Sequence, residues 1–337
     1  MYKIDGPFYA QLPDAAAEAR RLAAIGFDGV YTLEGNSDPF LPLVLASEHA
    51  PQLDISTGIA VAFPRNPAHL AYQAWDLHKF SKGRFALGLG SQIKTHIERR
   101  FSCEFDPPLG RMREHVEAIK AFFDCWQHGS KLDYRGKYRQ HTLMTPMFNA
   151  GPNPYGIPPV WLGALGPKMT ELAGEVADGW IVHPFNNAAF LQDVARPALA
   201  RGLQKNAAAD DFCVSLTAII VTGDSPASIN AARESVRGLL GFYGSTPAYR
   251  APMDAIDKGH LQPVLNDISK QGQWERMADY IDDEFLDAFA IVGQPEEIAG
   301  KIYRRYGDMA QRISIYAPYA APDAVWQQVI AGIKALG

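Results

Sequence analysis

The segment from Pro159 to Phe185 constrains the fold more than any other part of this 337-residue chain. Val160 to Leu165 and Trp180 to His183 are apolar without alternation, the pattern of strands buried on both faces. Between them, Pro167 opens a stretch with Met169, Leu172, Ala173 and Val176 at i, i+3, i+4 and i+7, and Asp178-Gly179 turns the chain into the second strand. Strands of this kind joined through a helix require a parallel sheet with helices over it.

The same unit recurs along the chain. Strands are expected at Tyr2 to Phe8, Asp28 to Leu33, Asp54 to Phe63, Arg84 to Gly90, Val160 to Leu165, Trp180 to His183, Phe212 to Val221 and Arg312 to Ala317. Helical periodicity fills the intervals, including one helix over Ala188 to Leu203 and another capped by Gln294-Pro295-Glu296-Glu297. Eight such units imply one α/β domain over 1–337, a closed (β/α)8 TIM barrel. Two excursions, about 129–158 and 241–290, are assigned to its C-terminal rim. An open doubly wound sheet is the competing topology. Its dinucleotide fingerprint is missing, because Gly88-Leu89-Gly90 is followed by Ile93 where a glycine is needed.

Composition narrows the partners. A net charge of -5 with no dense Lys/Arg run argues against nucleic acid. No apolar run approaches the roughly 18 residues of a membrane span, and the first residues lack a signal-peptide core. Three cysteines, Cys103, Cys125 and Cys213, fit a reducing cytoplasm better than a disulfide framework. A small-molecule substrate is the expected partner.

Barrel sites lie at the C-terminal strand ends. There, Gly163, Ala164 and Gly166 strip side chains from a strand-to-helix corner, so that backbone amides and the helix dipole are open to a phosphate, with Lys168 in the first turn. The other reading of the corner is an ordinary turn with Lys168 solvated. Metal hydrolysis is disfavoured because strand one has no His-x-His pair, and no metal site is expected. Serine hydrolysis lacks a Gly-x-Ser-x-Gly elbow. A rim of aromatics (Tyr9, Phe63, Trp161, Trp180, Phe185) suits a planar cofactor that carries the reaction itself.

Four stretches in order, 26–32, 56–67, 81–92 and 163–180, resemble the bacterial luciferase-like monooxygenase superfamily, and within it the oxidoreductases that use the deazaflavin coenzyme F-420. The resemblance implies hydride transfer between F-420 and a small organic substrate. Alternatives are an FMN-dependent monooxygenase using oxygen and a non-catalytic flavin-binding protein. It implies a non-prolyl cis peptide at Gly58-Ile59 behind the flavin ring. A phosphate loop is implied at Gly163, Ala164, Gly166, Pro167 and Lys168, and a second cofactor loop at Gly90, Ser91 and Gln92. Glu34 matches an acidic residue near the ring. Gly35 stands where the sugar-phosphate branch has a catalytic histidine, so proton transfer is assigned to His183, with Tyr243 the other candidate. His96, Glu98, Arg99 and Arg100 are placed at the entrance, or on a solvated face. A homodimer in the cytoplasm is what the family suggests.

Overall fold

The computed structural model describes residues 2–336. Eight strands form the cylinder: β1 Lys3–Pro7, β2 Gly29–Thr32, β3 Asp54–Thr57, β4 Phe85–Gly90, β5 Val160–Ala164, β6 Gly179–Val182, β7 Cys213–Val221 and β8 Arg312–Tyr316. Each pairs in parallel with the next, and β8 returns to β1 with Arg312 opposite Lys3. The sheet therefore has no free edge, and the closed (β/α)8 barrel replaces the open-sheet alternative.

Burial explains the strand sequences. All six residues of β4 are buried, as are four of five in β5, because helices cover the sheet outside and side chains fill it inside. The helix Pro67–Phe80 starts where Asn66 accepts a hydrogen bond from the Ala68 amide at 2.9 Å, and it buries Leu70, Ala71, Ala74 and Trp75. The helix expected over Ala188 to Leu203 forms in three pieces: Ala188–Phe190, a π-helical turn Leu191–Ala195, and Arg196–Leu203. Pro197 lacks an amide and its ring crowds the preceding turn, which accounts for the wider turn.

Two strand boundaries differ from expectation. The third strand breaks at Gly58 and Ile59, and resumes as Ala60–Val61 beside β4. A short strand, Ala290–Val292, pairs with the end of β7, a segment too brief to carry a period of its own. The excursion at 129–158 carries a small hairpin, Tyr134–Arg135 with Gln140–His141, held against the helix Pro108–His128 by the Glu114 carboxylate, which accepts from the amides of Lys137, Tyr138 and Arg139. The excursion at 241–290 is helical, and builds a second core in which Phe185, Phe285 and Phe289 stack. Among the described residues, no helix is long and apolar enough to cross a membrane.

At the floor of the barrel Arg312 is buried. Its guanidinium donates twice to Asp5, at 2.8 and 2.5 Å, and once to Asp54 at 2.8 Å, linking β8, β1 and β3. Gly29 makes room for this cluster, since a Cβ there would lie 2.4 Å from Asp5 Oδ1. Arg312→Met would leave the buried Asp5 carboxylate without its counter-charge, at a cost of about 3–5 kcal/mol. A lower urea midpoint is expected, with most of the loss recovered when Asp5 is also replaced by an apolar residue. An unchanged midpoint in the single variant would show that the pair is dispensable.

Candidate active site at the barrel mouth

The chain leaves β3 through a cis Gly58–Ile59 peptide. The Ile59 side chain is seated between β4 and β5. A Cβ at Gly90 would lie 2.7 Å from Ile59 Cγ1, and one at Gly163 would lie 2.8 Å from Ile59 Cγ2. These two glycines thus leave space for a protein side chain first, a reason that the sequence pattern does not reveal. Beyond the bulge, Glu34 Oε2 accepts from the Val61 amide and from Arg65 Nη1, both at 2.6 Å. Its side chain is 7% exposed. Glu34 is neither solvated nor a free acid: it fixes the backbone after the bulge, a positioning task that leaves Arg65 as the residue sequence reasoning missed. Arg65 stood in the 56–67 stretch, but only the fold shows what it pairs with.

The glycine corner is only partly as open as its sequence implies. The amides of Met169 and Thr170 bond back to the Gly166 carbonyl at 3.0 Å, and Pro167 has none. The amides of Gly166 and Lys168 meet no protein acceptor among the described residues, and the Lys168 side chain is exposed without a carboxylate partner. Two amides and an ammonium remain for an anion at the start of the helix Pro167–Val176. Ala164 contributes its carbonyl to Trp180 Nε1 at 3.0 Å, which ties the ends of β5 and β6 together. Ser91 and Gln92 follow β4. Gln92 holds a left-handed backbone (φ 56°), and its own side chain accepts from the Ile93 amide, so the loop after β4 is braced internally.

His183 directly follows β6. Its Nδ1 accepts from the Phe185 amide at 3.0 Å, which leaves the proton on Nε2. The ring meets Tyr243 edge-on at 5.2 Å and Tyr249 at 4.6 Å. Burial pulls the imidazole down to about 3. Tyr243 in turn reaches the Tyr316 hydroxyl at 3.4 Å, and Tyr31 donates to the Ile315 carbonyl at 2.8 Å. Burial raises the Tyr31, Tyr243, Tyr249 and Tyr316 phenols. Neutral hydroxyls and one neutral imidazole therefore dominate this side of the mouth.

The expected aromatic rim is corrected by this arrangement. Only Tyr9 is exposed; Phe63, Trp161, Trp180 and Phe185 are buried in the packing beneath. Tyrosines take their place, because a phenol can meet solvent with its hydroxyl while its ring packs. Tyr31 stands one residue before the end of β2 and Tyr316 ends β8, a position near strand ends that could have flagged them. Of the entrance segment, Arg100 alone is tied to the mouth, donating to the Gly35 carbonyl at 2.7 Å. Among the described residues, no group of three His, Cys, Asp or Glu side chains could hold a metal ion.

The profile of the luciferase-like monooxygenase family matches residues 5–312. An uncharacterized protein of Mycobacterium tuberculosis is 46% identical over 312 residues, covering 92% of each chain. A 5,10-methylenetetrahydromethanopterin reductase of Archaeoglobus fulgidus is 26% identical over 281 residues, covering 82% of this chain and 81% of its own. Among solved structures, the coenzyme F-420-dependent tetrahydromethanopterin reductase of Methanopyrus kandleri superposes with a TM-score of 0.79 at 19% identity, over 98% of this chain and 96% of that one.

Two measurements check the site. Gly163→Ala forces a methyl against Ile59 and should cost about 1–3 kcal/mol in chemical denaturation. In an Ile59→Ala background the same substitution should cost far less; equal costs would mean that the two side chains do not compete. His183 should stay neutral by NMR from pH 8 down to about 5. Its folded-state value lies below the roughly 6.5 of an unfolded chain, so the unfolded state binds the proton first and stability falls as pH drops below about 6.5. That fall should be shallower in His183→Gln, and a His183 midpoint near 6.5 would refute the buried neutral ring.

Proposed function

The chain belongs to the luciferase-like monooxygenase family, and from that premise we propose that it is an oxidoreductase moving a hydride between coenzyme F-420 and a small organic substrate. The observation that carries this reading is the anion-ready corner at Gly166–Lys168, one strand away from the bulge at Gly58–Ile59 and its seat on Gly90 and Gly163. A flat backbone ledge beside a cationic helix start suits a tricyclic ring with an acidic tail. The likeness to a reductase over four-fifths of the chain supports reduction rather than oxygenation.

When bound, the deazaflavin supplies a carbon-held hydride. The chain supplies the rest. Lys168 and the Gly166 and Lys168 amides would hold the tail's phosphate. Gly90 and Gly163 seat Ile59, which would back the ring, and Ala164, Ser91 and Gln92 would line it. Glu34 and Arg65 hold the bulge in shape. His183 presents an Nε2–H, and Tyr243 a hydroxyl proton, toward the substrate side, in place of the histidine absent at Gly35. The 241–290 helices shield that side from water. Reduced FMN with oxygen is the second reading, favoured by the family's monooxygenase members. FMN ends at one phosphate, so it would use Lys168 but nothing beyond it.

Titrating the purified protein with F-420 and with FMN, then following hydride transfer and oxygen uptake, separates these readings from a non-catalytic carrier. Tight F-420 binding with turnover of an organic substrate is expected. Oxygen uptake with FMN preferred would replace the proposal with the monooxygenase, and binding without any turnover would replace it with the carrier. Lys168→Glu should weaken F-420 binding by about tenfold or more, with thermal stability unchanged, because an exposed charge reversal costs little in folding. Unaltered affinity would remove the phosphate assignment.

A further inference from the structure

The substrate side of the mouth has a definite chemical character. Tyr9, Tyr243, Tyr249, Tyr316 and His183 come from five different stretches: the ends of β1, β6 and β8, the helix Pro226–Gly244, and the turn Pro247–Tyr249. His183 packs against Tyr243 and Tyr249, the Tyr243 hydroxyl reaches that of Tyr316 at 3.4 Å, and Tyr9 is exposed at the rim. Among the described residues, no lysine, arginine or carboxylate side chain is hydrogen-bonded to any of the five; the partners are the Phe185 amide for His183 and Tyr316 for Tyr243. The Glu34 carboxylate at the rim is taken up by Arg65 and the Val61 amide.

A half-buried site made only of neutral donors discriminates by charge. A phosphate or carboxylate placed there would lose its hydration and gain no counter-ion, a net penalty. A carbonyl or hydroxyl oxygen would exchange water for Tyr and His donors and lose little. The His183 tautomer reinforces this, because Nδ1 is occupied by the Phe185 amide and Nε2 is fixed as a donor. The Tyr243 hydroxyl is placed where it can donate to a bound oxygen while accepting from Tyr316, or the reverse.

We propose that the substrate is an uncharged carbonyl compound or the alcohol formed from it, its oxygen held by the Tyr243 hydroxyl and the His183 Nε2–H, and that anionic substrates such as sugar phosphates or carboxylic acids are rejected. This inference rests on the mouth being the reaction site, as proposed above, and it names the substrate class of that site. It also assigns the 241–290 excursion a recognition role, since that segment delivers Tyr243 and Tyr249.

The test uses the full chain and a matched pair of probes, cyclohexenone and its carboxylate-bearing analogue. Ligand-detected saturation-transfer NMR without cofactor should show the neutral enone binding at least about tenfold more tightly than the anion. Tyr243→Phe should weaken the enone by about tenfold, with melting temperature and F-420 affinity unchanged, whereas a purely structural tyrosine would lower the melting temperature instead. With reduced F-420 as the hydride source, the enone should be reduced and the carboxylate should not. Equal binding of the two probes, no binding of the enone, or a silent Tyr243→Phe would overturn the inference. If the selectivity appears but F-420 does not bind, the cofactor assignment falls and the substrate class stands.

Discussion

Closure of the barrel rests on a charge largely withdrawn from water. Arg312, on the last strand, reaches Asp5 on the first and Asp54 on the third, so the seam between β8 and β1 is held by side chains as well as by the ladder. Gly29 yields the volume this requires. A pair of this kind is costly to desolvate and worse to break. It fixes the register of the strands whose upper ends carry Tyr9, the Gly58–Ile59 bulge and Tyr316, and a slip of one residue would turn those ends to the wrong face.

Above that floor, the mouth divides into two halves of different chemistry. On the side of β3, β4 and β5, backbone and small residues dominate: a cis bulge, glycines that receive Ile59, and two open amides beside Lys168. On the side of β6, β7 and β8, phenols and a neutral imidazole dominate. A cofactor with a flat ring and an anionic tail matches the first half, and a neutral organic molecule matches the second. The family assignment and the geometry meet at this division.

Much of the architecture was legible because its causes are local. Non-alternating apolar runs such as Phe85–Gly90 need cover on both faces, and helical spacing in Pro67–Phe80 supplies it. Ends and interruptions were less legible. Pro197 did not break its helix but widened one turn, and Ala290–Val292 is a strand only because β7 extends far enough to receive it. The candidate residues were chosen by position at strand ends, and that pattern did not show their contacts: Glu34 pairs with Arg65, and Phe63, Trp161, Trp180 and Phe185 pack beneath the rim.

The amino-acid sequence by itself determined the parallel barrel, the glycine corner before Lys168 and the absence of a histidine at Gly35, because periodicity, missing side chains and residue identity are properties of the chain alone. Only the tertiary structure decided that Glu34 meets Arg65, that Gly90 and Gly163 share one isoleucine, and that His183 packs on Tyr243 and Tyr249. Those outcomes depend on distances between residues tens to hundreds of positions apart. Such distances follow from how the closed sheet brings its strand ends around one axis, which no local pattern encodes.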